Sequence, residues 1–422
     1  MRWAVAFLMM GAAFGQDALK LTLKQAEELA AKNSPRVAAA RFTADAYGQI
    51  PKELKSVYQP AAFGSVTAVG ADNGTRLAAG SLNNPALYSR FASGVGVSQF
   101  ITDFGRTADL VGSAESRAQS QLDNTDATRA TALLAVDGAY FGVLRAQAVL
   151  KVAQQTVSAR QLVADQIAAL ARNALKSSLD VSFANVNLAE AKLLLATAQN
   201  NLKASTAALA NAIAEPSRRS FELSDEPMPA APPDDDKTLI ASALKDRPEL
   251  AALRHELAAT ERFAKAEGEL WRPTVSAVAA VGVAPAAVEQ VSNHYGAVGM
   301  NLNIPILNGG LYKARRSEAE LRARGAAASL KDFENRVMRD VQVAYLDAQT
   351  GYDRLSLTEK LLEQAKLALE LAQQRYNLGL SAIVELSQAQ LNLTSALIAN
   401  TNARYDYQAE WSSLQYQIGA LR

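Results

Sequence analysis

The chain has 422 residues, 43 basic against 42 acidic side chains, and no cysteine. It lacks the basic excess that a nucleic-acid partner requires, so no nucleic acid is expected. Missing thiols exclude disulfides, cysteine nucleophiles, thiolate metal sites and a lipid-modified N-terminal cysteine. Aromatic residues make up only 6%, and Ala, Leu, Gln and Asn dominate long stretches. That composition predicts a helix-rich protein with a thin core, not a compact enzyme.

In chain order, residues 1–15 predict a secretory signal peptide. Arg2 supplies the charge, Trp3 to Phe14 the apolar run, and Ala13-Phe14-Gly15 the small residues before a cleavage at Gln16. No later stretch reaches about 18 uninterrupted apolar residues, so the exported protein is expected to lack a transmembrane helix. A leading helix is predicted over 21–57, then strands over 61–70 and 89–100. Their loop, 71–88, carries Asn73-Gly74 and Asn83-Asn84-Pro85. A very long helix follows over 103–172, then a short turn and a return helix over 177–214. Residues 215–236 hold Pro216, Pro227, Pro229, Pro232, Pro233 and Asp234-Asp235-Asp236. Proline at that density predicts a surface linker without helix or central strand. The order then repeats: helix 237–271, strands 274–283 and 295–304 around the loop 284–294, long helix 308–378 and return helix 381–419.

The repetition is internal duplication. Residues 103–214 lie on 308–419 at a constant offset of 205, so that Ala139-Tyr140 meets Ala344-Tyr345 and Asn187-Leu188 meets Asn392-Leu393. Upstream the offset is 213: Lys32 and Pro35 meet Lys245 and Pro248. The expected organisation is a signal peptide (1–15), a first structural repeat (16–214), the linker (215–236) and a second repeat (237–422).

The helix 308–378 carries two apolar seams. Leu355, Thr358, Leu362, Ala365, Leu369, Ala372 and Tyr376 form one; Leu357, Leu361, Leu371 and Leu378 form the other. An offset of two residues is about 200° around a helix. A helix with seams on nearly opposite sides has a neighbour on each side, as in the wall of a hollow cylinder. A single-seam coiled coil is the competing arrangement. About 70 helical residues span roughly 105 Å, so a shorter leading helix and return helix stacked end to end would flank one long helix.

The strands alternate. Val298, Met300, Leu302 and Ile304 oppose Ala297, Gly299, Asn301 and Asn303; Phe91, Val95 and Val97 oppose Ala92, Gly94, Gly96 and Ser98. Strands of about 9–11 residues, apolar on one face and small or polar on the other, suit a membrane barrel. A soluble antiparallel sheet has the same pattern. Four strands cannot close a barrel, so a pore requires several chains, and three would supply twelve strands.

With these elements in place the chain resembles the TolC-like outer-membrane efflux family, over essentially all of the mature sequence. The resemblance rests on Leu21-Thr22-Leu23-Lys24-Gln25-Ala26 and Asn33-Ser34-Pro35 at the start. It also rests on Leu302-Asn303-Ile304-Pro305-Ile306-Leu307-Asn308-Gly309-Gly310 at a strand-to-helix junction. The third string is Arg375-Tyr376-Asn377-Leu378-Gly379-Leu380-Ser381, followed by Val384-Glu385-Leu386 and Ala389-Gln390, at a helix-hairpin tip. The resemblance implies a mainly α protein with a transmembrane β part. Long antiparallel helical hairpins would form a trimeric α-barrel tunnel in the periplasm, joined to a 12-stranded outer-membrane β-barrel. It implies a homotrimer in the outer-membrane lipid bilayer that docks to a periplasmic adaptor (a membrane fusion protein) and an inner-membrane pump.

By that resemblance, Glu385 rings the tunnel entrance, with Gln388 where some members carry a second acid. Three carboxylates at a narrow mouth attract cations. Asp180 is the first-repeat counterpart of Glu385; for both, a solvated acid at a helix start is the plainer alternative. Tyr376 would help hold the entrance closed. Gly379, Leu380 and Ser381, with Ala174, Leu175 and Ser177, form tips that would meet the adaptor. Gly379 permits the left-handed residue that ends a helix, whereas Ala174 lacks that freedom, so the two tips are expected to differ in shape. Asp103 and Gly105, with Asn308, Gly309 and Gly310, mark strand-to-helix bends. The two histidines, His255 and His294, offer no shared acid–base or metal role, so neither enzyme activity, metal site nor cofactor is expected. The function implied is a passive exit duct for a tripartite efflux pump or type I secretion system. The alternative is a periplasmic adaptor or coiled-coil scaffold, which would carry one hairpin between β-domains where this chain has two.

Overall fold

The computed structural model describes residues 19–70, 90–215, 221–285 and 292–421. The expected signal peptide, the loop 71–88, Pro216 and residues 286–291 of the second loop lie outside the described residues.

The elements are β1 (Leu19–Leu21), α1 (Leu23–Asn33), α2 (Pro35–Tyr47), α3 (Ile50–Ser56), β2 (Ala61–Val69), β3 (Arg90–Thr102), α4 (Arg106–Arg172) and α5 (Ser178–Ala212). Then come β4 (Phe221–Leu223), α6 (Lys237–Asp246), α7 (Pro248–Gly268), β5 (Thr274–Val283), β6 (His294–Asn303), α8 (Leu311–Asn377) and α9 (Ile383–Gln417). The two longest helices, α4 and α8, have 67 residues each and contain no proline. Their return partners α5 and α9 have 35 each.

Neither leading helix is continuous as expected. The first is three helices and the second two, and prolines mark the breaks. Ser34, before Pro35, is extended with ψ 117°, and Arg247, before Pro248, is extended with ψ 123°. A proline ring crowds the preceding residue out of the helical region. Gly48 and Gln49 separate α2 from α3, with Pro51 in the first turn of α3. The linker also holds an unexpected element. Between Pro216 and Pro227, β4 pairs in parallel with β1, Leu19 opposite Phe221 and Leu21 opposite Leu223.

Two compact units share the chain: Met1–Ala40 with Thr125–Leu250 and Glu334–Arg422, and Arg41–Asn124 with Ala251–Phe333. In the first unit the β1–β4 pair lies on α4. Leu21, Phe221, Val136, Tyr140, Leu209 and Tyr405 belong to one buried cluster. Each such side chain stabilises by about 1.5–3 kcal/mol when fully buried. The Tyr140 hydroxyl donates to the carbonyls of Leu21 (3.0 Å) and Ser224 (2.7 Å). Burial, with the Glu226 charge nearby, pushes its pKa up to about 12.

Among the described residues one helix, α4, is long and apolar enough to cross a membrane by length and composition, with an 18-residue window of mean hydropathy 1.3. Asp137 and Arg145 interrupt this stretch, so it is not an uninterrupted apolar run of the kind the sequence was searched for. Val136, Tyr140 and Leu144 of that stretch are buried in the first unit's core.

In the second unit four antiparallel strands form one sheet in the order β2-β3-β5-β6. The two hairpins are joined through β3 and β5, with Val97 opposite Ala279, and a register shift falls between Phe100 and Thr102. Strands β2 and β6 are the open edges.

Candidate functional site

The hairpin tips lie in the first unit. At the end of α4, Leu175 N–H donates to Leu170 O at 3.0 Å and Ala174 N–H to Ala171 O at 3.0 Å. At the end of α8, Leu380 N–H donates to Arg375 O at 2.8 Å and Gly379 N–H to Tyr376 O at 3.1 Å. Both are Schellman closures, in which a left-handed residue lets two orphan carbonyls be satisfied. Gly379 has φ 70° and Ala174 has φ 58°. The expectation that the tips differ in shape because Ala174 cannot turn left-handed is therefore overturned. Alanine adopts that conformation at a cost of about 1–2 kcal/mol, offset by the bonds it completes.

The tips differ instead where the return helices begin. Ser177 caps α5: its hydroxyl accepts from Asp180 N–H at 3.2 Å, while Asp180 accepts from Ser177 N–H (3.0 Å) and Oγ–H (2.8 Å). Those bonds from Ser177 hold the Asp180 carboxyl below the usual range. Asp180 thus completes a capping box. At the start of α9 the cap position is Ala382, which has no side-chain bond to offer. Glu385, released from capping, pairs with Arg375 across the turn at 3.1 Å, both side chains about half exposed. Gln388 is exposed and donates to Asn392 at 2.9 Å.

Tyr376 sits against a cluster built from all four helices at the tips, including Ile167, Leu188, Ile383 and Leu386. The Lys176 ammonium of the first tip lies 4.3 Å from the centre of its ring, a cation–π contact. The hydroxyls of Tyr376 and Ser381 are buried without a hydrogen-bond partner among the described residues. Leu175 and Leu380 project into solvent. Arg375 and Lys176 were not singled out from the sequence. Arg375 lies ten positions before its partner and Lys176 two hundred before its own, separations with no helical or strand period to reveal them.

The long-helix seams have unlike fates. Every residue of the series Leu355 to Tyr376 is buried or half-buried, whereas Leu357, Leu361, Leu371 and Leu378 are exposed.

In the second unit the strand-to-helix bends carry left-handed pairs. Phe104 and Gly105 have φ 59° and 115°; Gly309 and Gly310 have 61° and 86°. Asp103 accepts from Gly105 N–H (3.3 Å) and Thr107 N–H (2.7 Å), and Asn308 Oδ1 from Gly310 N–H (3.2 Å). On the sheet, rows such as Ala62–Val97–Ala279–Val298 place one apolar side chain beside the next. Val66, Val95, Val281, Val298, Met300 and Leu302 share that face and are exposed, Val298 at 87%. The opposite face mixes small and polar residues with Val69, Phe100 and Val278, and on it Phe63 lies over Gly96 and Tyr295 over Gly94 and Gly282. His255 pairs with Asp123 at 2.6 Å, and His294 is the first residue of β6 instead of a loop residue.

The family model described as outer membrane efflux protein matches residues 27–215 and 239–420. The outer membrane efflux protein BepC of Brucella suis is 23% identical over 96% of this chain and 86% of its own. The alkaline protease secretion protein AprF of Pseudomonas aeruginosa is 24% identical over 42% of this chain, a match spanning only 38% of that protein. The crystal structure of CusC matches 94% of this chain and 92% of its own, with a TM-score of 0.82 at 17% identity.

Proposed function

The chain belongs to the outer membrane efflux protein family, and on that premise we propose that it is one protomer of a homotrimeric exit duct across the outer membrane and periplasm. The duct is passive; an inner-membrane pump coupled through a periplasmic adaptor drives it, in a tripartite efflux or type I secretion system. Three copies of the sheet β2-β3-β5-β6 close a twelve-stranded barrel in the lipid bilayer. The two repeats of each chain build a pseudo-sixfold helical tunnel with true threefold symmetry at its entrance.

One observation carries this reading: the chain leaves unpaired what a ring of copies would pair. The sheet has two open edges, and open edges of this kind invite pairing. The Leu357–Leu378 seam is exposed, and the apolar sheet face suits lipid. Purified in detergent, the protein is expected to be trimeric and to conduct ions in planar bilayers. A monodisperse, water-soluble monomer would overturn the reading.

The tips supply the entrance. Tyr376 and Lys176 join the two tips of one protomer, and Leu175 and Leu380 face the adaptor with Gly379, Ala174, Ser177 and Ser381 shaping the turns. Glu385 gives the mouth its cation preference, and Arg375 tempers it by neutralising part of that charge. Asp180 keeps its place in the cap and contributes little. Glu385→Gln should therefore reduce cation selectivity in single-channel recordings and Arg375→Gln should raise it. Unchanged reversal potentials in both variants would remove Glu385 from the pore.

A further inference from the structure

On the sheet face opposite Val298, three glycines stand in two adjoining rows. Gly96 is the cross-strand partner of Phe63 in one row; Gly94 and Gly282 are neighbours in the next, with Tyr295 at its end. The aromatic residues come from the edge strands β2 and β6, and the glycines from the central strands β3 and β5. Both rings lean away from the open edges and over the glycines. A Cβ on Gly96 would lie 2.6, 2.8 and 3.1 Å from three ring carbons of Phe63. One on Gly282 would lie 2.6 Å from Tyr295 Cζ, and the Tyr295 hydroxyl reaches across β5 to Gly94. Each ring therefore fills the space that a side chain beneath it would need.

Glycine inside a strand costs chain entropy and leaves no side chain to pack. A ring laid on the bare backbone recovers part of that cost through contact. The recess also fixes how far each ring stands off the sheet. Held flat, Phe63 and Tyr295 add only the thickness of a ring; raised by side chains beneath them, they would project further. In these two rows, and in the neighbouring row of Ala61, Ser98, Val278 and Gly299, no other side chain is aromatic and none is charged. Phe63 is 57% exposed and Tyr295 39%, so both rings present a face to whatever occupies that side of the sheet.

We propose that Gly94, Gly96 and Gly282 are recesses that hold Phe63 and Tyr295 flat against the lumen wall of the barrel, and that the lie of these two rings sets the largest cargo the barrel passes. The proposal rests on the duct reading, with Val298 and its neighbours turned to lipid and the glycine face turned to the lumen. Strands lining a barrel alternate between those two sides. Three copies then place three Phe63 and three Tyr295 rings around one bore, where diameter and lining chemistry decide what passes.

The two kinds of residue make opposite demands when replaced. Phe63→Ala removes a ring and adds no atom, so the bore widens. Gly96→Ala adds one methyl whose three nearest neighbours are all ring atoms of Phe63, so the ring yields and the backbone does not. Gly94 and Gly282 are unsuited to the same change, because a Cβ there meets the carbonyl oxygens of Val281 and Ser93.

The chain has no cysteine, so a single introduced thiol reports alone. Asn301→Cys lies on the same face of β6 as Tyr295 and nearer α8. A reagent entering from the hairpin-loop end must pass both rings to reach it. Thiol-reactive polyethylene glycols of graded size, added outside intact cells carrying the full chain, give a size cut-off for labelling. Phe63→Ala should shift that cut-off to larger reagents and Gly96→Ala to smaller ones, and the double variant should match Phe63→Ala. A cut-off that moves in neither single variant would overturn the proposal and leave the duct reading intact. So would a Phe63→Ala protein that melts lower with its cut-off unmoved, since the ring would then serve the sheet alone. Should Gly96→Ala fail to assemble, Phe63→Ala decides by itself. If Asn301→Cys escapes even the smallest reagent while Val298→Cys reacts, the lumen lies on the other face, and the barrel reading falls together with the proposal.

Discussion

Phe104, Ala174 and Ala214 in the first repeat have φ of 59°, 58° and 54°; the second repeat, 205 residues on, has Gly309, Gly379 and Gly419 at 61°, 70° and 76°. The same left-handed turns are made from strained residues in one half and permissive ones in the other. At the starts of the return helices the advantage reverses, since Ser177 caps α5 and Ala382 leaves α9 uncapped. The comparison teaches that the duplicated helices and their closing hydrogen bonds impose the turn. Residue choice only sets what the turn costs.

The comparison can be broken most severely at Gly419. A Cβ there would sit 2.9 Å from the Asp246 carbonyl carbon and 3.0 Å from Arg247 N. Gly419→Ala should destabilise by roughly 2 kcal/mol or more, from the left-handed penalty plus the clash, as a lowered melting midpoint. Ala214, which already makes the equivalent turn, shows that the penalty alone is tolerable. Removing the first-tip cap with Ser177→Ala should cost about 1 kcal/mol and speed amide exchange in the first turn of α5. Relieving strain should do the opposite: Ala174→Gly is expected to stabilise by up to about 1 kcal/mol, the left-handed relief less the entropy glycine adds to the unfolded chain. A similar or smaller gain, about 0.5 kcal/mol, is expected from Ala382→Ser, which would also draw Glu385 towards the cap and away from Arg375. Its signature is a change in single-channel selectivity alongside the small rise in melting temperature. The mildest test is acid. The lowered Asp180 carboxyl stabilises above its ordinary value and loses that contribution as pH falls through its folded one. Amides 178–180 should therefore lose protection on acidification in wild type and not in Asp180→Asn.

Much of the fold was legible from residues. The duplicated order of strands and helices followed from periodicity and a constant offset, and the second long helix ends at the left-handed Gly379 that was expected to close it. Two features visible in the sequence were under-read. Ser34-Pro35 and Arg247-Pro248 occupy equivalent positions and break both leading helices, and the proline-free interval at Phe221–Leu223 leaves room for a strand. The strain at Ala174 was not legible, because alanine favours the right-handed helix and only the closing bonds show otherwise. The Arg375–Glu385 pair and the Lys176–Tyr376 contact depend on how the turns bring distant positions together. So does the burial of Asp137, whose repeat partner is an exposed glutamine.

Taken alone, the sequence determined the duplicated order of elements, the lengths of the long and return helices, and the apolar faces of β3 and β6. These follow from spacing along one chain, where side-chain periods of 2 and 3.6 are local properties. The tertiary structure decided which seam is packed and which stays open, which acid caps and which pairs, and that a single sheet joins the two copies. Those outcomes depend on which element covers which, and no local spacing encodes that.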